Sequence, residues 1–386
     1  VVQAALLQGP APATREVVER REREALAPYA ARSGDSRGRQ HPESEHAYRT
    51  AFQRDRDRVI HSTAFRRLQY KTQVFINDEG DHYRTRMSHS METAQIARTI
   101  ARALSLNEDL AECLALAHDI GHTPFGHSGG EALAECMGGQ GGFEHNLQAL
   151  RIVELLETPY PQFRGLNLTW ETRESMRKHT VLPQYPVEEA YGPALAPLLE
   201  AQVVDYSDSI AYDAHDIDDA VRAELIEPAS LEALELWRRT EPAARGGPRA
   251  RVRALIDLEV TDLIEQTIRT LAQEKVRSVD DVRAARRALV GFSPEVHRGR
   301  LQVAEFLRRN VYRHHRVLQM QQKARRFVSE LFKTYVAQVD LLPPRFVRWA
   351  QEVGAPRSVA DYIAGMTDRY AQEQYRKLFH PFENLL

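Results

Sequence analysis

Two cysteines in 386 residues, Cys113 and Cys136, are too few for a disulfide framework. Cys113 sits in the apolar run Cys113–Ala117, where a small buried thiol is expected. No apolar run approaches the ~20 residues of a membrane-crossing helix. Val1–Leu7 is too short for a signal peptide and lacks its basic flank. The chain opens on Val rather than Met, so its natural start is expected to have been trimmed. An excess of one charge is also missing: 52 basic residues face 54 acidic ones, for a net charge of −2. No global field therefore recruits nucleic acid or an anionic membrane, and any anion binding must be local. The expectation is a cytoplasmic protein with no membrane partner.

What is present suffices for a substantial core, with 42% hydrophobic residues in a length that fits one large or two smaller domains. Residues 1–13 are rich in Ala, Pro and Gly and are expected to be flexible. Thr14 can cap a charged helix to about residue 27, and Ser33–Arg39 reads as a loop that could move. Gln73–Ile76 and His82–Thr85, separated by Asn77–Asp81, predict a short β-hairpin. Elsewhere apolar residues recur with helical spacing, over 88–104, 108–119, 129–136, 145–157, 171–179, 195–226, 230–239, 250–273, 280–289, 293–314, 317–338, 345–353 and 358–378. The fold class is therefore all-α with a small hairpin. Glu241–Pro248 is the best linker of the second half.

Chemistry concentrates in His118–Glu131, which holds three imidazoles and two carboxylates directly after the apolar run. Adjacent residues point about 100° apart on a helix, so His118 and Asp119 share one metal ion only at a helix shoulder with ligands arriving from elsewhere. His89 and Asp208 are such ligands. The set His89, His118, Asp119, Asp208 offers two neutral nitrogens and two carboxylates, a mixed site suited to Mn²⁺, Mg²⁺ or Fe²⁺. A His-Asp dipeptide alone is a weak signal. Gly121 and Pro124 should end the helix and force a turn, leaving His122 near its end for phosphate contact and His127 just beyond.

Between Arg49 and Arg86 the balance turns basic, and Arg forks suit the ~4 negative charges of a triphosphate, although surface ion pairing explains most of these arginines equally well. Arg86 stands apart, because it precedes His89 by three residues on one helical face. Asp208, Tyr212 and Asp216 form one helical stripe.

The chain resembles the deoxyguanosine triphosphate triphosphohydrolases, a family within the HD-domain metal-dependent phosphohydrolases. The resemblance runs through Tyr48–Phe52, Phe65–Leu68, Lys71–Phe75, Asp81–Arg86, His118–Glu131, Phe143–Asn146, Gly165–Thr169, Asp213–Asp216 and Asp361–Asp368. It implies an HD-domain helical fold and identifies His89, His118, Asp119 and Asp208 with the family's metal ligands. It makes His127 either the general acid to the leaving 5′ oxygen or the group that orients the attacking water, and matches His145 to another active-site histidine. Family members usually carry an acidic residue where this chain has Gly130. Glu131, one position later, either orients His127 or faces solvent. Tyr212 and Asp216 match residues beside the sugar, and Gln73 one near the same edge. Tyr312 and Arg313 are weaker substrate candidates. The organisation expected is a partly flexible extension over 1–44, a catalytic core over 45–240 and a helical C-terminal lobe over 249–386 that completes the substrate pocket.

The function expected is hydrolysis of a deoxynucleoside triphosphate, dGTP by default, to the deoxynucleoside and inorganic triphosphate. The alternatives are an HD-type phosphatase acting on deoxynucleoside monophosphates and a non-catalytic nucleotide-sensing or single-strand-binding module. The resemblance further implies a homo-oligomer and an activating nucleotide.

Overall fold

The computed structural model describes residues 12–73, 84–179 and 181–380. Its helices of seven or more residues are α1 (Arg15–Ala25), α2 (Ala51–Ile60), α3 (Arg86–Ala103), α4 (Glu108–Ala117), α5 (Gly126–Cys136), α6 (His145–Arg151) and α7 (Trp170–Lys178). They continue with α8 (Leu199–Arg222), α9 (Pro248–Gln273), α10 (Pro294–Leu307), α11 (His315–Ala337), α12 (Pro344–Val353), α13 (Ala355–Ala364) and α14 (Asp368–Phe379). The fold is all-α. Most of the expected hairpin and most of the extension 1–13 lie outside the described residues. Among the described residues Thr72 and Thr85 form an isolated antiparallel bridge, and Arg39 and Thr169 form another. Thr14 stands at the N-cap of α1 without a side-chain capping bond. The stretch Ser33–Arg39 is pinned, since Ser33 is buried and Arg39 ion-pairs with the buried Asp55.

Local chemistry fixes where the site-bearing helices begin. Thr85 and Ser88 form a reciprocal capping box that starts α3 at Arg86, which puts Arg86 and His89 in its first turns. Asn107 caps α4 by accepting from the Leu110 N–H at 3.1 Å, and Glu108 and Asp109 follow in the first turn, where they complement the helix dipole. From Leu110 to Ala117 nearly every side chain of α4 is buried, so this helix is enclosed and its C-terminal residues emerge inside the protein.

Helices α3, α4 and α8 pack pairwise around a core containing Ile96, Ile100, Leu110, Leu114, Val203 and Ile210. A second core joins α5 to α11, α13 and α14 through Leu133, Met137, Val328, Leu331 and Ile363. A third spans the Glu241–Pro248 stretch, with Ile217 and Trp237 packed alongside Leu255, Val303 and Leu307. Among the described residues no helix is long and apolar enough to cross a membrane.

Several predicted helices are shorter or broken. The helix expected over 108–119 ends at Ala117, and His118 to Gly121 form turns. That over 280–289 stops at Arg283, whose carbonyl accepts from the Ala196 N–H at 2.9 Å, and farther on Gln202 Oε1 accepts from the Leu289 and Val290 N–H groups. That over 358–378 breaks at Gly365–Thr367, where Thr367 caps α14.

Candidate metal centre and active site

Three elements meet at the centre: the first turns of α3, the end of α4 and the middle of α8. His89, His118 and Asp208 present ligand atoms within 4.8 Å of one another. His89 Nε2 lies 2.8 Å from Asp208 Oδ1, and His118 Nε2 lies 3.4 Å from the same oxygen. Asp119 stands beside this trio, its Oδ1 3.5 Å from His118 Nε2 and accepting from Arg86 Nη1 at 2.9 Å. His118 Nδ1 bonds the Ala115 carbonyl at 2.6 Å. A carbonyl only accepts, so Nδ1 carries the hydrogen and the lone pair of the neutral ring is on Nε2, facing the carboxylates.

The electrostatics fit a cation. Burial lowers the His118 pKa, but Asp119 and Asp208 outweigh it and hold it up at about 9. Burial raises the Asp119 carboxyl, yet Arg86 and then His118 and His122 carry it well below the usual range. Asp208 is likewise pressed up by burial and carried well below by His118 and His89. The cluster thus attracts positive charge, and a divalent ion would displace the His118 proton. His118 Nε2 and Asp119 Oδ2 are buried without hydrogen-bond partners. A buried polar atom left unpaired costs roughly 1–3 kcal/mol, a cost that a bound metal removes at both atoms.

A second group of imidazoles adjoins. The turn 118–125 ends at Phe125, whose φ of 63° is left-handed, and α5 then presents His127. His122 and His145 have ring centroids 4.1 Å apart, and His127 lies 5.5 Å from His122. His122 Nδ1 is 3.0 Å from Asp119 Oδ1. Gly121 permits this convergence, for a Cβ there would meet His145 O at 2.0 Å and Ala149 N at 2.4 Å. Glu144 caps α6 through Oε2 and places Oε1 3.0 Å from His145 Nδ1. Burial, then His127, lowers the His145 pKa to about 3. His127 opens to solvent on one side, and desolvation on the others, followed by Arg86, lowers its pKa as well.

Two side chains tie this turn to the C-terminal helices. The buried Lys71 ammonium donates to the carbonyls of His122 and Ala364. Asp368 accepts from the Thr72 N–H at 2.9 Å through Oδ2 and from the Phe125 N–H at 2.8 Å through Oδ1.

The other predicted residues fall in distinct places. Arg86 is 1% exposed, and its Nε and Nη2 have no partner. The remaining cations of the basic stretch are mostly committed: Arg49 to Asp57, Arg56 to Asp109 and Glu112, Arg58 to Glu43, and Arg84 to Asp218 and Asp219. Several of them, Arg49, Arg54, Arg58, Arg66, Arg67 and Lys71, also line one cavity rather than the metal cluster. Glu131 bonds Arg325 at 2.6 Å with 64% of its side chain exposed, so it takes the solvent-facing of its two expected positions. On α8, Tyr212 and the buried Asp216 lie side by side with Tyr312, which donates its hydroxyl hydrogen to Asp216 Oδ2. Burial raises the Asp216 carboxyl well above its ordinary value, aided by Asp213 and Asp219. Gln73 is buried with Oε1 unpartnered, and Arg313 is exposed.

Residues that sequence reasoning passed over include His179, hydrogen-bonded to Asp205 with its ring 6.0 Å from that of His118. They also include His215, Lys71 and Asp368, all within stretches that carried the resemblance. A cavity of about 610 Å³ adjoins the centre through Lys71 and Ile120, but no metal-site residue lines it.

Comparison with known proteins agrees with this geometry. Residues 86–213 match the HD domain, and residues 290–377 match the phosphohydrolase-associated domain. A protein of Geobacter sulfurreducens is 49% identical over 375 residues, covering 94% of this chain and 97% of its own. One from an Azoarcus species is 49% identical over 367 residues, covering 92% and 96%. Both are named deoxyguanosinetriphosphate triphosphohydrolase-like protein. The chain belongs to this deoxyguanosinetriphosphate triphosphohydrolase-like family of HD-domain, metal-dependent phosphohydrolases.

Proposed function

We propose that the chain hydrolyses a deoxynucleoside triphosphate, dGTP by default, at the α-phosphorus, releasing the deoxynucleoside and intact inorganic triphosphate. The observation that carries this reading is the buried, half-free guanidinium of Arg86 between the metal cluster and the His122/His127/His145 group. A divalent cation on His89, His118, Asp119 and Asp208 would polarise the α-phosphate and lower the pKa of the attacking water. Arg86 keeps Nε and Nη2 for phosphate oxygens while Nη1 holds Asp119.

With its pKa lowered, His127 is a neutral imidazole, suited to orient the attacking water and take its proton. His122 and His145, also held neutral, offer hydrogen bonds to the phosphate chain. Toward the sugar, Asp216 can hydrogen-bond a 3′-hydroxyl. Tyr212, with the Tyr312 ring 6.4 Å away, would set an aromatic ring where a 2′-hydroxyl projects and so favour deoxyribose, and Gln73 would supply an acceptor near the same edge. Arg313 would add charge at the rim.

The reading keeps the division into a catalytic core, 45–240, and a C-terminal lobe, 249–386, with Tyr312 as the lobe's contribution to the pocket. It also keeps a homo-oligomer and an activating nucleotide by resemblance to the family, and a cytoplasmic location from the scarcity of cysteine. Anion-exchange analysis of products from each dNTP, singly and mixed with Mn²⁺ or Mg²⁺, tests it beside an Asp119→Ala control. Deoxynucleoside plus triphosphate, absent in the control, is expected. Phosphate release from monophosphates alone, or nucleotide binding without turnover, would replace it with the phosphatase or the sensing module.

A further inference from the structure

We propose that His215 and Glu92 are positioning residues that fix the tautomer of His89 and so aim its Nε2 lone pair into the metal centre. The proposal rests on the metal reading above. His89 Nδ1 lies 3.3 Å from His215 Nδ1, and His215 Nε2 lies 2.8 Å from Glu92 Oε2. On its far side His89 Nε2 faces Asp208 Oδ1 at 2.8 Å. Both rings are buried, at 1% and 3% side-chain exposure. Glu92 sits one turn after His89 on α3, and His215 lies on α8, so the chain of contacts runs across the α3–α8 packing.

Two ring nitrogens in contact need one hydrogen and one lone pair between them. Glu92 decides which. A carboxylate only accepts, so His215 Nε2 carries its hydrogen and the neutral ring leaves a lone pair on Nδ1. His89 Nδ1 must then donate, and the His89 lone pair falls on Nε2, toward Asp208 and His118. The opposite arrangement would set a His215 lone pair against the Glu92 carboxylate and place a hydrogen on the nitrogen that must ligate. Arg84 holds Glu92 in register, donating from Nε to the same Oε2 at 3.1 Å while Nη1 reaches Asp219 at 2.7 Å and Asp218 at 3.1 Å. The second histidine of the centre is anchored to the same end by other means: Ala115 O takes the hydrogen of His118 Nδ1. Both imidazoles thus turn Nε2 inward, one through a backbone carbonyl and one through a histidine–carboxylate pair.

The test is Mn²⁺ binding to the chelator-stripped full chain, read from free Mn²⁺ by electron paramagnetic resonance, with thermal unfolding of each metal-free protein alongside. His215→Leu removes the acceptor, and an affinity about 10–100-fold lower is expected. His215→Asn places an amide oxygen near the former Nδ1 and is expected to restore most of that loss, a rescue that a packing role does not predict. Glu92→Gln, at a half-exposed carboxylate, leaves the fold in place but no longer dictates the His215 tautomer, and weakened binding is expected. His215→Leu binding as the wild type does, Asn failing to rescue, or Glu92→Gln binding unchanged would each overturn the proposal. If His215→Leu fails to fold, Glu92→Gln decides alone. A wild-type chain that does not bind Mn²⁺ would instead remove the metal reading beneath it.

Discussion

Asp368 lies 250 positions after His118 in the sequence, yet its carboxylate holds the turn that His118 begins. Its two oxygens accept the N–H groups of Thr72 and Phe125 at 2.9 and 2.8 Å, inside the protein. Asp368→Asn keeps the shape but offers one acceptor where two are needed. Its amide group would then face a backbone donor, leaving one buried N–H unpaired at a cost of roughly 1–3 kcal/mol. The surviving bond loses its charge assistance, worth about 1 kcal/mol more. The total is about 2–4 kcal/mol of stability. The loss falls on the turn that carries His122 and leads into His127, and a misplacement of about 1 Å can cost on the order of 10²-fold in rate. Thermal unfolding and steady-state kinetics with a dNTP check both numbers, beside the surface variant Glu352→Gln, whose exposed pair with Arg164 should contribute under ~1 kcal/mol. We expect Asp368→Asn to melt lower and to lose kcat with little change in KM. If it matches Glu352→Gln in both measurements, the carboxylate does not organise the turn.

Burial and then Arg86 press the Lys71 ammonium from 10.5 down to about 7. Between those values the unfolded chain binds more protons than the folded one, so this stability rises with pH and is lost as pH falls through about 7. The wild-type minus Lys71→Met difference in unfolding free energy, from urea titrations across that window, should therefore grow by up to ~1.4 kcal/mol per pH unit; a flat difference contradicts the buried ammonium. Gly121→Ala drives a methyl into the backbone of α6 at His145 and Ala149, and should cost at least the ~1–3 kcal/mol of overpacking. A variant with wild-type melting temperature and kcat would refute the close contact. Glu131→Gln should leave kcat unchanged and alter stability by less than ~1 kcal/mol, since its exposed carboxylate pairs with Arg325. A tenfold fall in kcat would show that it orients His127 after all.

The metal trio was legible through the family resemblance, since a His-Asp dipeptide and polar residues on separate helices are a weak signal by themselves; only the fold brings His89, His118 and Asp208 within 4.8 Å of one another. Helical periodicity likewise exposed the all-α class, although breaks set by distant partners did not show. Ala196 takes the carbonyl of Arg283 where 280–289 stops, and Lys71 and Arg67 take the carbonyls of Ala364 and Gly365 where 358–378 divides. The ion pairs of the basic stretch were hidden for the same reason. Arg56, Arg58 and Arg84 are neutralised by acids far away in the chain, such as Asp109, Glu43 and Asp219, which a local count of charges does not reveal. Glu92 carried a usable signal, lying three residues after His89 on one helical face. Its link to His215 depends on how α3 meets α8 and is visible only in three dimensions.

Hydrolysis of dGTP in ¹⁸O-water, with products separated and weighed by mass spectrometry, tests the central claim most directly. Attack at the α-phosphorus predicts one ¹⁸O in the released triphosphate and none in deoxyguanosine, with both products lost in Asp208→Asn. Label in the deoxyguanosine, or a yield of deoxynucleoside monophosphate and pyrophosphate, would contradict it.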